Sequence, residues 1–108
     1  MIGWKKLRAA KIDANQNEIV EALRKIGCSV QILSSVGKGC PDLVVGIGSG
    51  CGLNLFVEIK DGNKPPSAQK LTSDQVKWHS ELKGSKVVVN SIESAIDAVN
   101  SYRKEWMK

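Results

Sequence analysis

Residues 53–60, Leu-Asn-Leu-Phe-Val-Glu-Ile-Lys, alternate with a period of two, and this is the clearest strand pattern in the chain. Successive side chains on a strand point to opposite faces. Leu53, Leu55, Val57 and Ile59 therefore form one apolar face, suited to packing under helices, and Asn54, Phe56, Glu58 and Lys60 form the other. The second face sets a carboxylate and an ammonium about 7 Å apart along the strand.

The preceding run, Pro41-Asp42-Leu43-Val44-Val45-Gly46-Ile47, reads as a neighbouring strand, and Gly48-Ser49-Gly50-Cys51-Gly52 between them has strong turn chemistry. If that loop closes an antiparallel hairpin symmetrically, Ile47 faces Leu53, Val45 faces Leu55, Leu43 faces Val57 and Asp42 faces Glu58. All the apolar pairs agree in face, which supports the register. Two carboxylates then oppose each other across the ladder with α-carbons about 5 Å apart. Like charges so placed destabilise a sheet by up to about 1 kcal/mol. Either one carboxyl keeps a proton, or a hard divalent cation sits between the two and offsets the repulsion. Magnesium takes one or two carboxylates together with waters and phosphate oxygens, and Lys60 on the same face suits a developing phosphorane or an attacking water. The plain alternative is two acids on an exposed sheet face with Lys60 as a salt-bridge partner.

The remaining elements follow from apolar spacing. Asp13 is the expected N-cap of a first helix running to about Ile26 and ended by Gly27, with Ile19, Val20, Leu23 and Ile26 on one face. Residues 28–33 read as a strand, 61–67 as an irregular loop, 73–83 as a helix capped by Thr72, and 86–89 as a short buried strand. Ser91 caps a last helix through Ile92, Ala95, Ile96 and Val99. The order αβββαβα describes a mixed sheet flanked by helices, an α/β sandwich.

At 108 residues the chain is one domain, expected as a basic N-terminal arm over 1–12, a core over 13–100 and a C-terminal helix extension over 101–108. No segment reaches the roughly 20 apolar residues that span a bilayer, and Met1-Ile2-Gly3-Trp4-Lys5-Lys6 lacks a secretory h-region, so no membrane association and a cytoplasmic location are expected. The net charge of +5 biases the chain toward polyanions, and Lys5, Lys6, Arg8 and Lys11 all precede the first acid, Asp13. Cys28, Cys40 and Cys51 fit no zinc spacing with the single His79 and are expected to be buried free thiols.

Several residues read two ways. Gln75 lies on the Leu71, Trp78, Leu82 stripe, from which it could enter a site, yet Thr72-x-x-Gln75 is also a capping box. Gln16 shares the Ile19, Val20, Leu23 face, yet Asp13-x-x-Gln16 is another candidate box, and Glu18 falls off that face as a solvated charge. Lys64, Pro65, Pro66 and Lys70 form a stiffened basic loop suited to a phosphate backbone, or an ordinary solvent loop. His79 flanks the stripe and reads as a surface or half-buried helix residue.

Pro41-Asp42, fifteen intervening residues and Glu58-Ile59-Lys60 resemble the PD-(D/E)xK nuclease signature. Gly37-Lys38-Gly39-Cys40-Pro41-Asp42-Leu43, Glu58-Ile59-Lys60-Asp61-Gly62 and Gln75-x-x-Trp78 resemble its VRR-NUC branch, especially small stand-alone, phage-encoded proteins similar to Holliday-junction resolvases. The resemblance implies a restriction-endonuclease-like core and Mg²⁺-dependent hydrolysis of DNA phosphodiesters, with Mn²⁺ as a substitute and a 5′-phosphate product. It implies Asp42, Glu58 and the Ile59 carbonyl as metal ligands, Lys60 as the residue positioning water, and Gln75 as a helix-borne support. Lys38, Lys64 and Lys70 are the expected nucleic-acid contacts on the chain's own basic loops. Related resolvases place a carboxylate on the first helix, where this sequence has Gln16. The small relatives imply a homodimer acting on branched or duplex DNA, in the cytoplasm of a bacterial host if the chain is phage-encoded. The alternative function on the same fold is a non-catalytic basic DNA-binding module.

Overall fold

The structure, a computed structural model, describes residues 12–48 and 52–106. The basic arm before Ile12 and the hairpin tip at 49–51 lie outside the described residues. From α1 (Gln16–Lys25) the chain passes through β1 (Ser29–Ile32), β2 (Leu43–Ile47), β3 (Leu53–Ile59), α2 (Ser73–Glu81), β4 (Lys86–Val89) and α3 (Ile92–Trp106). The sheet order is β1-β2-β3-β4. The first two pairings are antiparallel and β3–β4 is parallel, α2 lying in the crossover between them.

The hairpin register is the one the apolar pattern demands: Leu43 pairs with Val57, Val45 with Leu55 and Ile47 with Leu53. Five of these six side chains are buried and Leu53 is half-buried against them; the core adds Ile59, Val89, Ile19, Val20 and Leu23 of α1, and Ala95 and Val99 of α3. Helices α1 and α3 pack on each other and on the sheet to form this core. Full burial of one large aliphatic side chain contributes roughly 1.5–3 kcal/mol. The opposite sheet face is left to α2, whose Trp78 ring meets Phe56 of β3 edge-on at 5.3 Å.

Helix α1 starts later than expected. Its N-cap is Asn15, with no side-chain cap bond, and Asp13 contributes only its main-chain carbonyl, to the Gln16 amide at 3.0 Å. The Asn15 side chain is committed elsewhere: Nδ2 donates to the Lys60 and Asn90 carbonyls at 3.1 and 3.2 Å, tying the helix start to the ends of β3 and β4. Gly27 ends the helix as expected, in the left-handed region at φ 96°.

The loop expected to be irregular over 61–67 is cut short at Pro66, where a 3₁₀ turn, Pro66–Gln69, begins because a proline suits the first helical position. Gln69 braces it, donating to the Lys64 carbonyl at 2.7 Å and accepting from Asn90 at 3.0 Å. Helix α2 stops at Glu81, not Lys83, because Leu82 is already extended. Ser91 caps α3 as expected, its Oγ accepting the Ser94 amide at 3.0 Å. Cys28 is buried and Cys40 half-buried, both as free thiols. Among the described residues no helix is long and apolar enough to cross a membrane.

Candidate active site

The β2–β3 ladder ends where polar chemistry begins. Asp42 stands one residue before β2, one step beyond the Leu43–Val57 pair, and its Oδ2 accepts the Ile59 amide at 2.7 Å. Glu58 is 2% exposed and points to the α2 side of the sheet, opposite to Val57 and Ile59. Lys60 extends the same face and is buried along most of its length.

Helix α2 is aimed at this face from both ends of its first turns. The Thr72 hydroxyl accepts the Gln75 amide at 3.2 Å, and Gln75 Oε1 accepts the Thr72 amide at 2.9 Å, a complete capping box. The same Oε1 accepts Lys60 Nζ at 2.7 Å, and Gln75 Nε2 donates to Glu58 Oε2 at 3.2 Å. The two readings of Gln75 are therefore both true: the cap fixes the side chain that joins Lys60 to Glu58. The loop before Asp42 also leans on α2. Gly37, Lys38 and Gly39 are all left-handed, and a Cβ on Gly39 would run into the Asp74 carbonyl.

The electrostatics follow from burial. Glu58 is pushed from the usual 4.5 up to about 8, first by burial, then by the Asp42 carboxyl, close enough to share a proton and repelling a second charge; Lys60 opposes this. Burial, Lys86 and Lys60 push His79 down, which favours the uncharged ring; its Nε2 lies 4.0 Å from Glu58 Oε1. Burial and the Glu58 and Asp42 carboxylates push the Cys40 thiol up. Asp13 is also raised, by burial and then by Asp42, with Lys60 and Lys64 pulling the other way.

These residues fit a hard divalent cation. Glu58 Oε1 is buried and lacks a hydrogen-bond partner, an arrangement that costs about 1–3 kcal/mol for a polar atom. Among the described residues no three His, Cys, Asp or Glu side chains form a ready-made cage. Two carboxylates with backbone and water oxygens suit magnesium, which seldom takes an all-protein site.

Asp42, Glu58, Lys60 and Gln75 thus come together as the sequence led one to expect. Gln16 is buried and its Oε1 accepts from Ser34 Oγ at 3.1 Å. Lys38, Lys64 and Lys70 are exposed; Lys64 lies near enough to act on Asp13, and Lys38 lines a cleft with Asp74, Lys77, Trp78 and Glu81. Two residues were missed. His79 is buried, not at the surface or half-buried, because it stands four residues after Gln75 and so on the same helix face. Asp13, read as a cap, is a third carboxylate within electrostatic reach of Asp42 and Glu58.

No family model matches the chain, and no curated protein matches its sequence. Among solved structures it is similar to one described as a "VRR_NUC domain", at 28% identity and a TM-score of 0.60, over 81% of this chain and 91% of that one. The chain has a VRR-NUC-type fold, a restriction-endonuclease-like α/β nuclease fold.

Proposed function

We propose that this chain is a metal-dependent DNA endonuclease that hydrolyses phosphodiester bonds at Asp42, Glu58 and Lys60. The observation that carries the reading is a single network on a nuclease fold: Asp42 beside a buried Glu58 with an unpartnered oxygen, and Gln75 joining Glu58 to Lys60.

Asp42 and Glu58, with the Ile59 carbonyl as a third protein oxygen, are the groups that would hold Mg²⁺ or, in its place, Mn²⁺. The ion would supply Lewis acidity at the scissile phosphate and lower the pKa of a bound water. Lys60 Nζ, anchored on Gln75 at 2.7 Å, orients the attacking water and offsets charge that develops on the phosphorane. Gln75 holds both partners in register, and the Thr72 box holds Gln75. Exposed Lys38, Lys64 and Lys70 take neighbouring phosphates. The net charge of +5 favours DNA as the polyanion, and the resemblance to small junction resolvases favours a branched or duplex substrate cut by a homodimer, in the cytoplasm of a bacterial host if the chain is phage-encoded.

A cleavage panel of labelled four-way junction, flap, nicked and linear DNA tests this. Wild-type protein is expected to cut with Mg²⁺ or Mn²⁺, and Glu58→Ala to abolish cutting while DNA binding persists. Wild-type protein that binds these DNAs and cuts none would contradict the nuclease reading and leave a non-catalytic binding module.

A further inference from the structure

Gln75 and His79 stand four residues apart on α2 and meet the two oxygens of one carboxyl group. Gln75 Nε2 donates to Glu58 Oε2 at 3.2 Å, and His79 Nε2 faces Glu58 Oε1 at 4.0 Å. His79 Nε2 and Glu58 Oε1 are both buried and both without a hydrogen-bond partner. The residues themselves are 8% and 2% exposed. We infer that His79 is a positioning residue, whose Nε2–H holds Glu58 Oε1 when Glu58 serves as a ligand, completing with Gln75 a two-point clamp on that carboxylate.

Buried polar atoms left unpaired keep their desolvation penalty uncompensated, so a face-to-face pair of them is costly unless it closes in another state of the site. A carboxylate shift of about 1 Å brings 4.0 Å to hydrogen-bond distance. The imidazole itself is held in place. Its ring meets Trp78 edge-on at 5.9 Å, and Trp78 meets Phe56 edge-on at 5.3 Å, so the ring is referenced to the strand that carries Glu58. A residue present only to fill space would need no nitrogen there. Groups that orient metal ligands commonly change metal affinity 10- to 100-fold when removed.

The inference rests on the divalent-cation reading of the site, and the experiment separates the two. Mn²⁺ binding to the full chain is measured by titration calorimetry for wild type, Asp42→Ala, His79→Gln and His79→Leu. His79→Leu is expected to weaken Mn²⁺ binding by about 10-fold or more, and His79→Gln, which retains a donor, to stay within about 3-fold. Imidazole ¹⁵N spectra of the Mg²⁺-saturated wild type are expected to show the Nε2–H tautomer, a readout that needs no variant to fold. His79→Leu binding Mn²⁺ as tightly as wild type, or an Nδ1–H tautomer, would overturn the clamp while leaving the metal site standing. Wild-type protein with no Mn²⁺ site removed by Asp42→Ala would overturn the metal reading and the clamp with it.

Discussion

Asp42 and Glu58 meet at the end of the β2–β3 ladder, the first taking the Ile59 amide at 2.7 Å and the second buried to 2% exposure beneath α2. Side by side in a site this dry, the two carboxyls have two ways to coexist. Without a cation Glu58 keeps its proton, its pKa lying at about 8. On the proposed metal reading, a bound cation would displace that proton and offset Asp42 in its place, so that proton and cation would compete for one position.

Stability should therefore depend on pH through Glu58. An acid whose pKa is raised on folding contributes stability that is full below its unfolded value and lost as pH climbs through the folded one. For Glu58 that window runs from 4.5 to about 8. Melting of metal-free protein in chelator is the measurement. Glu58→Gln, which cannot ionise, should gain on wild type steadily across the window, by on the order of 4 kcal/mol at its upper end. His79, held neutral, acts in the opposite sense below its usual 6.5, so the difference between the two proteins is the quantity to follow. Curves that run parallel from 4.5 to 8 would refute the protonated pair.

Metal binding should release a proton. At pH 7 about one proton should leave per Mn²⁺ bound, and affinity should rise up to tenfold per pH unit until Glu58 is ionised near 8. Calorimetry in two buffers of different ionisation heat gives the proton count. A count of zero would mean that Glu58 carries no proton for the metal to displace, and would refute the protonated pair.

Thr72 and Gln75 can be told apart by what each loses. Thr72→Ala removes only the cap and should cost about 1 kcal/mol in denaturant unfolding, with cleavage little changed. Gln75→Ala keeps the amide that Thr72 caps, removes only the reciprocal bond to the Thr72 amide, and frees Lys60 and Glu58; it should reduce cleavage by about 10- to 100-fold. Equal cleavage by the two variants would mean that Gln75 matters only to the helix.

Much of this was legible in the chain, for a physical reason. A one-residue slip would have carried Leu43, Val45 and Ile47 to the wet face, so the apolar pattern alone fixed the register and with it the meeting of Asp42 and Glu58. Gln75 was ambiguous because local spacing cannot show that one carbonyl oxygen serves both a cap and Lys60. Asp13 looked like a cap because nothing local tells that Asn15 is drawn to Lys60 and Asn90, 45 and 75 residues away. His79 carried a usable signal, its four-residue spacing from Gln75, which gained meaning only once α2 was laid over β3.

Whether Asp42 and Glu58 hold one cation between them is decided by a crystal structure grown with saturating Mn²⁺, read by its anomalous signal. An ion should be found on both the Asp42 and Glu58 carboxylates, with Lys60 still on Gln75. An ion bound elsewhere, or none at this carboxylate pair, would contradict the metal reading.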